Sequence, residues 1–421
     1  MDVEVSVAAF ARGEPATATA PSGCPSLRRP TAFGLAVLLR DTDSASVDLL
    51  HQMEIRSMTG IDQFMLPRVD ENSITTCAAQ VQTPARTPSF SDLQERVRRA
   101  GLLDGRPKHY LANIAFVTVL TVAGWIGFVM LGDSWWQLLV AAYLAFCQVQ
   151  TGLLLHDSGH NQIFRSLKAN KLTYYICGNL LLGISGGWWV SVHNRHHSHP
   201  NHLTKDPALA RRAATLASGI SRDSGHLSLA RRTAVYFEAV IFFPRYTLTY
   251  LGMRIISIVA LCRRQVHRIT FEAALTAIHF GLYTTALLLT LPPEKSFAFV
   301  VINCALAGLY LGAILTPNHT GMLVRDGEEL DWVHRQVLTT RNLRSTRLTA
   351  FLYGGLGFHI EHHLFPTMPR PNLQKARSIV IDHCRENKID YKETGVIRSY
   401  LEIVTYLTSS VKSKSRKNTH M

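Results

Sequence analysis

Histidine is the residue type in this sequence that could do chemistry, because many of its copies repeat at helical spacing. The chain of 421 residues has 19 histidines, and eight of them fall in three short boxes. Residues three or four positions apart lie on one face of a helix, so each box would aim its imidazoles in one direction. Neutral imidazole is a ligand for iron, zinc and copper, and eight converging rings suffice for two metal ions. The boxes are HxxxH at His156 and His160, HxxHH at His193, His196 and His197, and HxxHH at His359, His362 and His363.

The metal chemistry that these boxes indicate is not that of a structural zinc site. The seven cysteines are scattered and form no CxxC pair, so no thiolate set accompanies the histidines. A single HxxxH pair arises often by chance, and a single HxxHH is rarer. Three boxes on one face of the protein are hard to explain as packing alone. Whether the boxes share a face depends on the helices that carry them.

Four apolar stretches predict transmembrane helices. The sequence is 47% hydrophobic and only 18% charged, which is typical of a membrane protein with polar parts. At a rise of about 1.5 Å per residue, each stretch reaches roughly the length needed to cross a bilayer core. Short turns at 132–134 and 292–296 pair the four into two hairpins. The predicted spans are 110–131, 135–155, 270–291, which carries Glu272 and His279, and 297–316.

Two further apolar stretches are predicted to be interfacial or re-entrant helices. Residues 172–190 contain four glycines, and residues 235–262 contain Glu238, Arg245 and Arg254. Charges are costly in lipid, which argues against a span in the second case. If residues 172–190 crossed the membrane, the first and second boxes would lie on opposite sides of it.

The distribution of charge predicts the orientation in the membrane. The loop 156–269 carries 15 Lys and Arg against four acids, and the positive-inside rule places such a loop in the cytoplasm. Both termini and all three boxes are then cytoplasmic too. The predicted fold is an all-α membrane protein with four transmembrane helices and all three boxes on its cytosolic side.

The remaining parts of the chain are predicted to be peripheral. Residues 1–100, rich in Ala, Thr, Ser and Pro, are interpreted as a poorly ordered leader, 101–395 as the functional domain, and 396–421 as a basic tail. The net charge of +14 would suit membrane headgroups or an acidic partner protein. No zinc-finger, RNP or basic-zipper pattern is present in the sequence, so nucleic acid is not an expected partner.

The three boxes, their order and their placement resemble the membrane fatty acid desaturase superfamily. The resemblance runs from about residue 110 to about residue 385, and the HIEHHLFP run at 359–366 is especially desaturase-like. It implies a cytosolic helical cap that holds a di-metal site, a non-haem di-iron centre, above four transmembrane helices, with O₂ as co-substrate and a kinked tunnel for the acyl chain. It also implies that the eight box histidines are iron ligands.

The resemblance implies one more ligand just after the last span. Family members usually have it between the second and third boxes, and this sequence reads Thr316-Pro317-Asn318-His319-Thr320 there. His319 is the predicted ninth ligand. Asn318, acting through a water, is an alternative, and an interfacial hydrogen-bonding role is the other interpretation of His319.

Several polar residues near the boxes are given supporting roles. Asp157 and Glu361 are expected to accept the second N–H of ligand imidazoles, which fixes ring orientation, with direct ligation as an alternative. His199 and His202 would cap or line the site or be incidental to it. His279, inside a span, is expected to be a packed, hydrogen-bonded residue.

The predicted activity is that of an O₂-dependent oxidoreductase, because removing hydrogen from an unactivated methylene requires an oxygen-activating metal pair. The resemblance implies introduction of a double bond into an acyl-lipid or acyl-CoA with two electrons. In front-end desaturases the third box usually begins with Gln, and here it begins with His359. A simple acyl-chain desaturase is therefore favoured. A related di-iron lipid or carotenoid hydroxylase is one alternative, and a His-rich metal transporter is the non-enzymatic one.

The sequence has no HPGG haem motif, so the electron donor is expected to be a separate protein. Ferredoxin, cytochrome b5 or a flavin-dependent reductase would suit. A basic cytosolic face could dock an acidic donor, although attraction to anionic headgroups is an equal explanation of its charge. The basic residues in question are Arg211, Arg212, Arg231, Arg232, Arg263 and Arg264.

Overall fold

The computed structural model describes residues 90–209, 240–325 and 330–416, with side chains up to residue 407. The described part is mostly helical and belongs to one compact unit. In chain order its α-helices are α1 (Phe90–Arg99), α2 (Pro107–Leu131), α3 (Gln137–Gly159), α4 (Leu167–Tyr175), α5 (Gly186–Ser198), α6 (Thr249–Cys262), α7 (Ile269–Thr290), α8 (Pro293–His319), α9 (Trp332–Leu338), α10 (Arg347–Leu352), α11 (His359–Leu364), α12 (Arg370–Glu386) and α13 (Val396–Arg416).

Helices α2, α3, α7 and α8 coincide with the four predicted spans. Among the described helices, these four are long and apolar enough to cross a membrane. A helix satisfies its own backbone hydrogen bonds, which is why an uninterrupted apolar run can exist in lipid. α3 and α8 are the more buried pair and pack against each other, with Asn303 Nδ2 donating to the carbonyl of Ala141 at 3.0 Å. They form the centre of the bundle, while α2 and α7 present more apolar surface outward.

The apolar run 172–190 is not a membrane-spanning helix. It is divided between the end of α4, a π-helix at Ile176–Leu182 and the start of α5, with a left-handed turn at Gly183 (φ 67°) between the last two. A Cβ at Gly183 would lie 2.6 Å from the ring of His279, so this turn needs glycine on both grounds. We call residues 176–187 the re-entrant segment, since the break lets the chain return to its starting side.

The second apolar run that was predicted not to span also ends short. Its first residues, 235–239, lie outside the described part of the chain. The rest forms a 3₁₀ helix at Pro244–Leu248 and the 14-residue α6. A helix of that length falls short of the roughly 20 residues that a bilayer core requires. The 3₁₀ helix crosses α8 where Gly308 and Gly312 allow close approach of Tyr246.

The described residues after α8 form the helices α9 to α13 and one pair of strands. β1 (Asn342–Arg344) and β2 (Glu393–Gly395) pair in parallel, with Asn342 opposite Glu393. The all-α prediction missed this pair, because strands of three residues are too short to show an alternating pattern. The pairing joins the segment before α11 to the segment after α12.

Two predicted boundaries differ from the structure. Residues 1–89 of the predicted leader lie outside the described residues, but 90–99 form α1, whose Leu93 and Val97 are buried in the same core as Val380 of α12. The predicted tail from residue 396 is the helix α13 over its described part, with Ile403 and Leu407 packed near Phe242 and Tyr246. Both helices are amphipathic, a pattern that an interpretation from overall composition and charge does not detect.

Candidate metal centre

Four helix ends carry the histidines that the sequence singled out. α3 continues past the predicted end of its span, so His156 lies in its last turn and His160 caps its C-terminus. The second box lies on the last two turns of α5, and His319 is the last residue of α8. The third box is α11 itself, a six-residue helix in which every residue is buried. Histidines from α3, α5 and α8 therefore meet histidines from α11 at one site.

The structure brings all nine histidines into one cluster, which we call the histidine cluster. Two groups within it have ligand nitrogens that all lie within 4.8 Å of one another. His359 joins the second group, with its Nε2 2.8 Å from Nε2 of His319. The first group contains histidines from all three boxes. The second group contains histidines from box two, box three and the end of α8. The first group is His156, His160, His193, His197 and His362; the second is His196, His319 and His363.

The spacing of the ring nitrogens fits metal ligation. Nε2 of His362 lies 3.2 Å from Nε2 of His156 and 3.1 Å from Nε2 of His197. Nε2 of His319 lies 3.1 Å from that of His196. Two nitrogens that bind one metal at right angles, with bonds of about 2.1 Å, lie about 3 Å apart. The observed separations match that value.

Hydrogen bonds on the far side of the rings place the protons away from the cluster centre. Nδ1 of His196, of His319 and of His359 faces an acceptor, respectively Asp206 Oδ2 at 2.9 Å, the Thr339 carbonyl at 3.2 Å and the Leu356 carbonyl at 3.2 Å. A neutral imidazole has one N–H, so each of these rings donates from Nδ1 and turns a bare Nε2 inward. Bare nitrogens about 3 Å apart repel unless a cation lies between them. The cluster could therefore hold metal.

The predicted role of Asp157 is observed, and two further partners were missed. Asp157 Oδ1 accepts from Nδ1 of His156 at 3.0 Å, and its other oxygen pairs with Arg370. Asp206 and Gln336 were not predicted; Gln336 Oε1 accepts from Nδ1 of His363 at 3.0 Å. Both lie outside the boxes, in segments with no motif, so the sequence offers no local signal for them.

The predicted role of Glu361 is wrong. Its carboxylate accepts from Asn342 Nδ2 and from the Tyr391 hydroxyl, each at 2.7 Å, and neither partner is a histidine. The reason is geometric: successive residues on a helix point about 100° apart, so Glu361, two positions after His359, points to nearly the opposite side. Burial raises the pKa of the Glu361 carboxyl. Glu361 joins α11 to β1 and to the segment before β2.

Burial favours the neutral form, which is the form that binds metal, in six rings of the cluster. Loss of solvent and, after it, the neighbouring imidazoles together lower the pKa of His359 to about 3. Nε2 of His160 and of His363 are buried with no hydrogen-bond partner. Uncharged rings with unused lone pairs are what a transition metal requires. The same causes, burial first, hold the pKa well below its usual range in His160, His193, His197, His362 and His363.

The other predicted candidates lie outside the two groups. The Asn318 amide donates to Ile314 in its own helix at 3.3 Å, so it turns back along α8. His199 and His202 lie beyond the end of α5 with ring centroids 6.2 Å apart, and Nδ1 of His202 accepts from the Thr204 amide at 3.3 Å. His279 is packed and hydrogen-bonded as expected, to Leu180 and Arg254.

Four helices apolar enough to span a membrane, together with a cluster of nine histidines that could hold metal, are the features of the class to which this protein is compared. The family model described as fatty acid desaturase matches residues 133–395, more than half of the sequence. The chain belongs to the fatty acid desaturase family, whose members are oxidoreductases.

Curated relatives agree with the family. The chain is 27% identical to the Acyl-lipid (9-3)-desaturase of Physcomitrium patens over 77% of its length, which covers 63% of that relative. It is 29% identical to the Delta(5) fatty acid desaturase fat-4 of Caenorhabditis elegans, over 76% of this chain and 73% of the relative. It is 27% identical to the Delta(6)-fatty-acid desaturase fat-3 of the same animal, over 77% and 75%. The chain thus spans less than two thirds of the moss relative's length.

Proposed function

We propose that this protein introduces a double bond into the acyl chain of a lipid or a CoA thioester, using O₂ and two electrons. The observation that carries the proposal is the histidine cluster, in which nine imidazoles form two adjacent groups. The family and its named relatives support the acyl substrate. The electrons and the two hydrogens from the acyl chain reduce O₂, with two protons, to two molecules of water.

The donor set supports two iron ions as the cofactor. Imidazole nitrogens suit iron, zinc and copper, but zinc has no redox chemistry and desaturation is an oxidation. Bound iron would supply the activation of O₂ that removes hydrogen from an unactivated methylene. The first group would hold one ion. His196, His319, His363 and His359 would hold the other.

The chain's own residues would orient the imidazoles and keep water out. Asp157, Asp206 and Gln336 each fix one ring through its Nδ1. Such partners set both the direction of the ligand and its basicity. Ile360 and Leu364 of α11 are at most 1% exposed and pack in one apolar core with Val333 and Met368. A dry site protects a reactive oxidant from side reactions.

A cavity of about 480 Å³ within the spans suits the acyl chain. It lies among α2, α3, α7 and the re-entrant segment. Its walls include Trp125, Leu144 and Leu282, with Thr151 on the face of α3 one turn before box one. We expect the methyl end of the acyl chain to lie in this cavity, because apolar contacts without charge favour a hydrocarbon.

The charge distribution supports a cytoplasmic site. The ends of the hairpins opposite the boxes meet in an ion pair between Lys295 and Asp133 at 2.7 Å. The loop 156–269, which carries the first two boxes, has 15 Lys and Arg against four acids. We therefore place both termini and the histidine cluster in the cytoplasm.

A separate electron donor would dock on that side. Arg263 and Arg264, which follow α6, are exposed and could bind an acidic protein. Arg211, Arg212, Arg231 and Arg232 lie outside the described residues. Charge reversal at Arg263 and Arg264 should slow association in a salt-dependent way. If the rate of donor association at low salt is unchanged, the role left for Arg263 and Arg264 is attraction to lipid headgroups.

Expression in yeast, with profiling of cellular fatty acids by mass spectrometry, tests the activity. A new fatty acid lacking two hydrogens, with its double bond located by derivatisation, is the expected result. A product that gains one oxygen would show a hydroxylase instead. The same cells provide membranes for iron analysis of the purified protein, and the absence of iron together with full activity would contradict the proposed cofactor.

A further inference from the structure

Glu272 is an acidic residue inside a membrane-spanning helix, and nothing described so far explains it. It lies in the first turn of α7 and is fully buried. A carboxylate in a span is costly unless it meets strong hydrogen-bond donors. Among the described residues no Lys, Arg or His forms an ion pair with it. Its partners belong to the re-entrant segment.

The Glu272 carboxylate holds the start of the helix that carries the second box. Its Oε2 accepts from the Ser185 hydroxyl at 2.5 Å and from the Gly187 amide at 3.2 Å. Ser185 in turn caps α5 by accepting from the Trp188 amide at 3.1 Å. The amides in the first turn of a helix lack intrahelical acceptors, and a negative charge there is favourable. The first turn of α5 is therefore fixed to α7.

A second residue of the re-entrant segment completes this attachment. Asn179 Oδ1 accepts from the Gly186 amide at 3.0 Å, and its Nδ2 lies 3.1 Å from Thr276 Oγ1 and 3.3 Å from Glu272 Oε2. The glycines permit the approach: a Cβ at Gly186 would lie 2.7 Å from the Tyr174 carbonyl, and one at Gly187 would collide with Glu272. The start of α5 has little room to move.

We propose that Glu272 is a positioning residue for the metal centre, which acts by fixing the N-terminus of α5. α5 supplies His193 and His197 to the first group and His196 to the second. A rotation or shift of this one helix would move ligands of both groups at once. The inference rests on the proposed function in that it takes the histidine cluster to bind metal.

The test measures metal binding to the purified full-length protein. Metal-free wild type and the variants Glu272→Ala and Glu272→Gln are titrated with Co²⁺, whose visible absorption reports ligand geometry, and iron per chain is measured after growth in iron. Gln keeps an oxygen acceptor for Ser185 and Gly187. Glu294→Gln is the matched control, because Glu294 lies in the first turn of α8 but is exposed.

Loss of a supporting partner costs about 10- to 100-fold in metal affinity, so we expect at least about a 10-fold loss in Glu272→Ala. Both sites should weaken together and the cobalt spectrum should change. Glu272→Gln and Glu294→Gln should bind as wild type does. His363→Ala, a ligand of the second group only, should weaken one site and leave the other.

Wild-type cobalt affinity and spectrum in Glu272→Ala would overturn the inference while leaving the proposed function intact. A wild-type protein that binds no metal would overturn both. If Glu272→Ala cannot be recovered folded, Glu272→Asp decides, because it keeps the charge in the span but withdraws the carboxylate from α5. Full metal binding by Glu272→Asp would then reject the positioning role.

Discussion

The histidine cluster and the polar face of α7 both bury ionisable side chains, but their atoms meet different partners. In the cluster, ring nitrogens face one another: Nε2 of His319 has Nε2 of His196 and of His359 as its neighbours. On α7, Glu272 faces the Gly187 amide, and His279 Nδ1 donates to the Leu180 carbonyl at 2.9 Å. One set has acceptors facing acceptors, and the other has donors matched with acceptors.

This difference separates a binding site from a structural support. A π-helix that ends inside the bundle leaves carbonyls without helical partners, and His279 and Arg254 satisfy those of Leu180 and Leu182. The hydrogen bonds of His279 and Arg254 are therefore explained within the chain. The histidine cluster is not, because its bare nitrogens require something from outside. Buried polar groups indicate function when their mutual contacts leave them unsatisfied.

The largest effect is expected when His319→Ala is compared with His279→Ala, two substitutions of histidines on α8 and α7. His319→Ala removes an inward nitrogen and should abolish product, a greater loss than the about 10- to 100-fold that follows loss of a supporting partner. His279→Ala removes the side-chain donor of the Leu180 carbonyl and one acceptor of Arg254, so it should cost about 1–3 kcal/mol of unfolding free energy. Fatty acid profiles, iron content and thermal unfolding in detergent check both. Retained iron in His319→Ala, or lost iron in folded His279→Ala, would break the comparison.

The next effect compares two aspartate–histidine pairs. Asp206→Asn weakens the acceptor at Nδ1 of His196 and should lower turnover about 10- to 100-fold. Asp331→Asn is the control, since Asp331 accepts from His334 Nδ1 at 2.5 Å outside the cluster, and Asn also caps helices well. Its turnover per folded protein should not change. Equal losses in both variants would show that the effect comes from folding.

The third comparison sets two carboxylates inside boxes against each other. Glu361→Gln places an amide N–H against Asn342 or Tyr391, so unfolding should need about 1–3 kcal/mol less, with turnover per folded protein unchanged. Asp157→Asn should instead lower turnover, because Asp157 holds His156. Unfolding by denaturant and product formation are measured for both variants. If Glu361→Gln lost iron while folded, its assignment to packing would fail.

The smallest expected effect is at His199, which directly follows α5. Its ring faces His202 outside the two groups. His199→Ala should change stability by no more than about 0.5 kcal/mol and leave iron content and product unchanged. A clear drop in iron would mean that the cluster extends past α5.

Several features of the protein could be predicted from the sequence because their cause is local. Each span is an unbroken apolar run, and lipid permits only structures that pair their own backbone groups, so the four helices followed directly. The failure of 172–190 to span could be argued from its glycines and from the position of the boxes. The spacing within the boxes likewise predicts which histidines share a helix face, while their role as ligands stays a prediction.

What only the tertiary structure decided is which side chain meets which. Asp206 reaches His196 from a loop ten residues on, and Gln336 reaches His363 from another helix. Glu361 turns away from the rings on either side of it because it lies on the opposite face of a six-residue helix. Such contacts depend on how distant segments pack, and packing leaves no periodic trace in the sequence. The apolar runs determine where the long helices lie in the sequence, and tertiary packing determines which hydrogen-bond partner each buried polar atom meets.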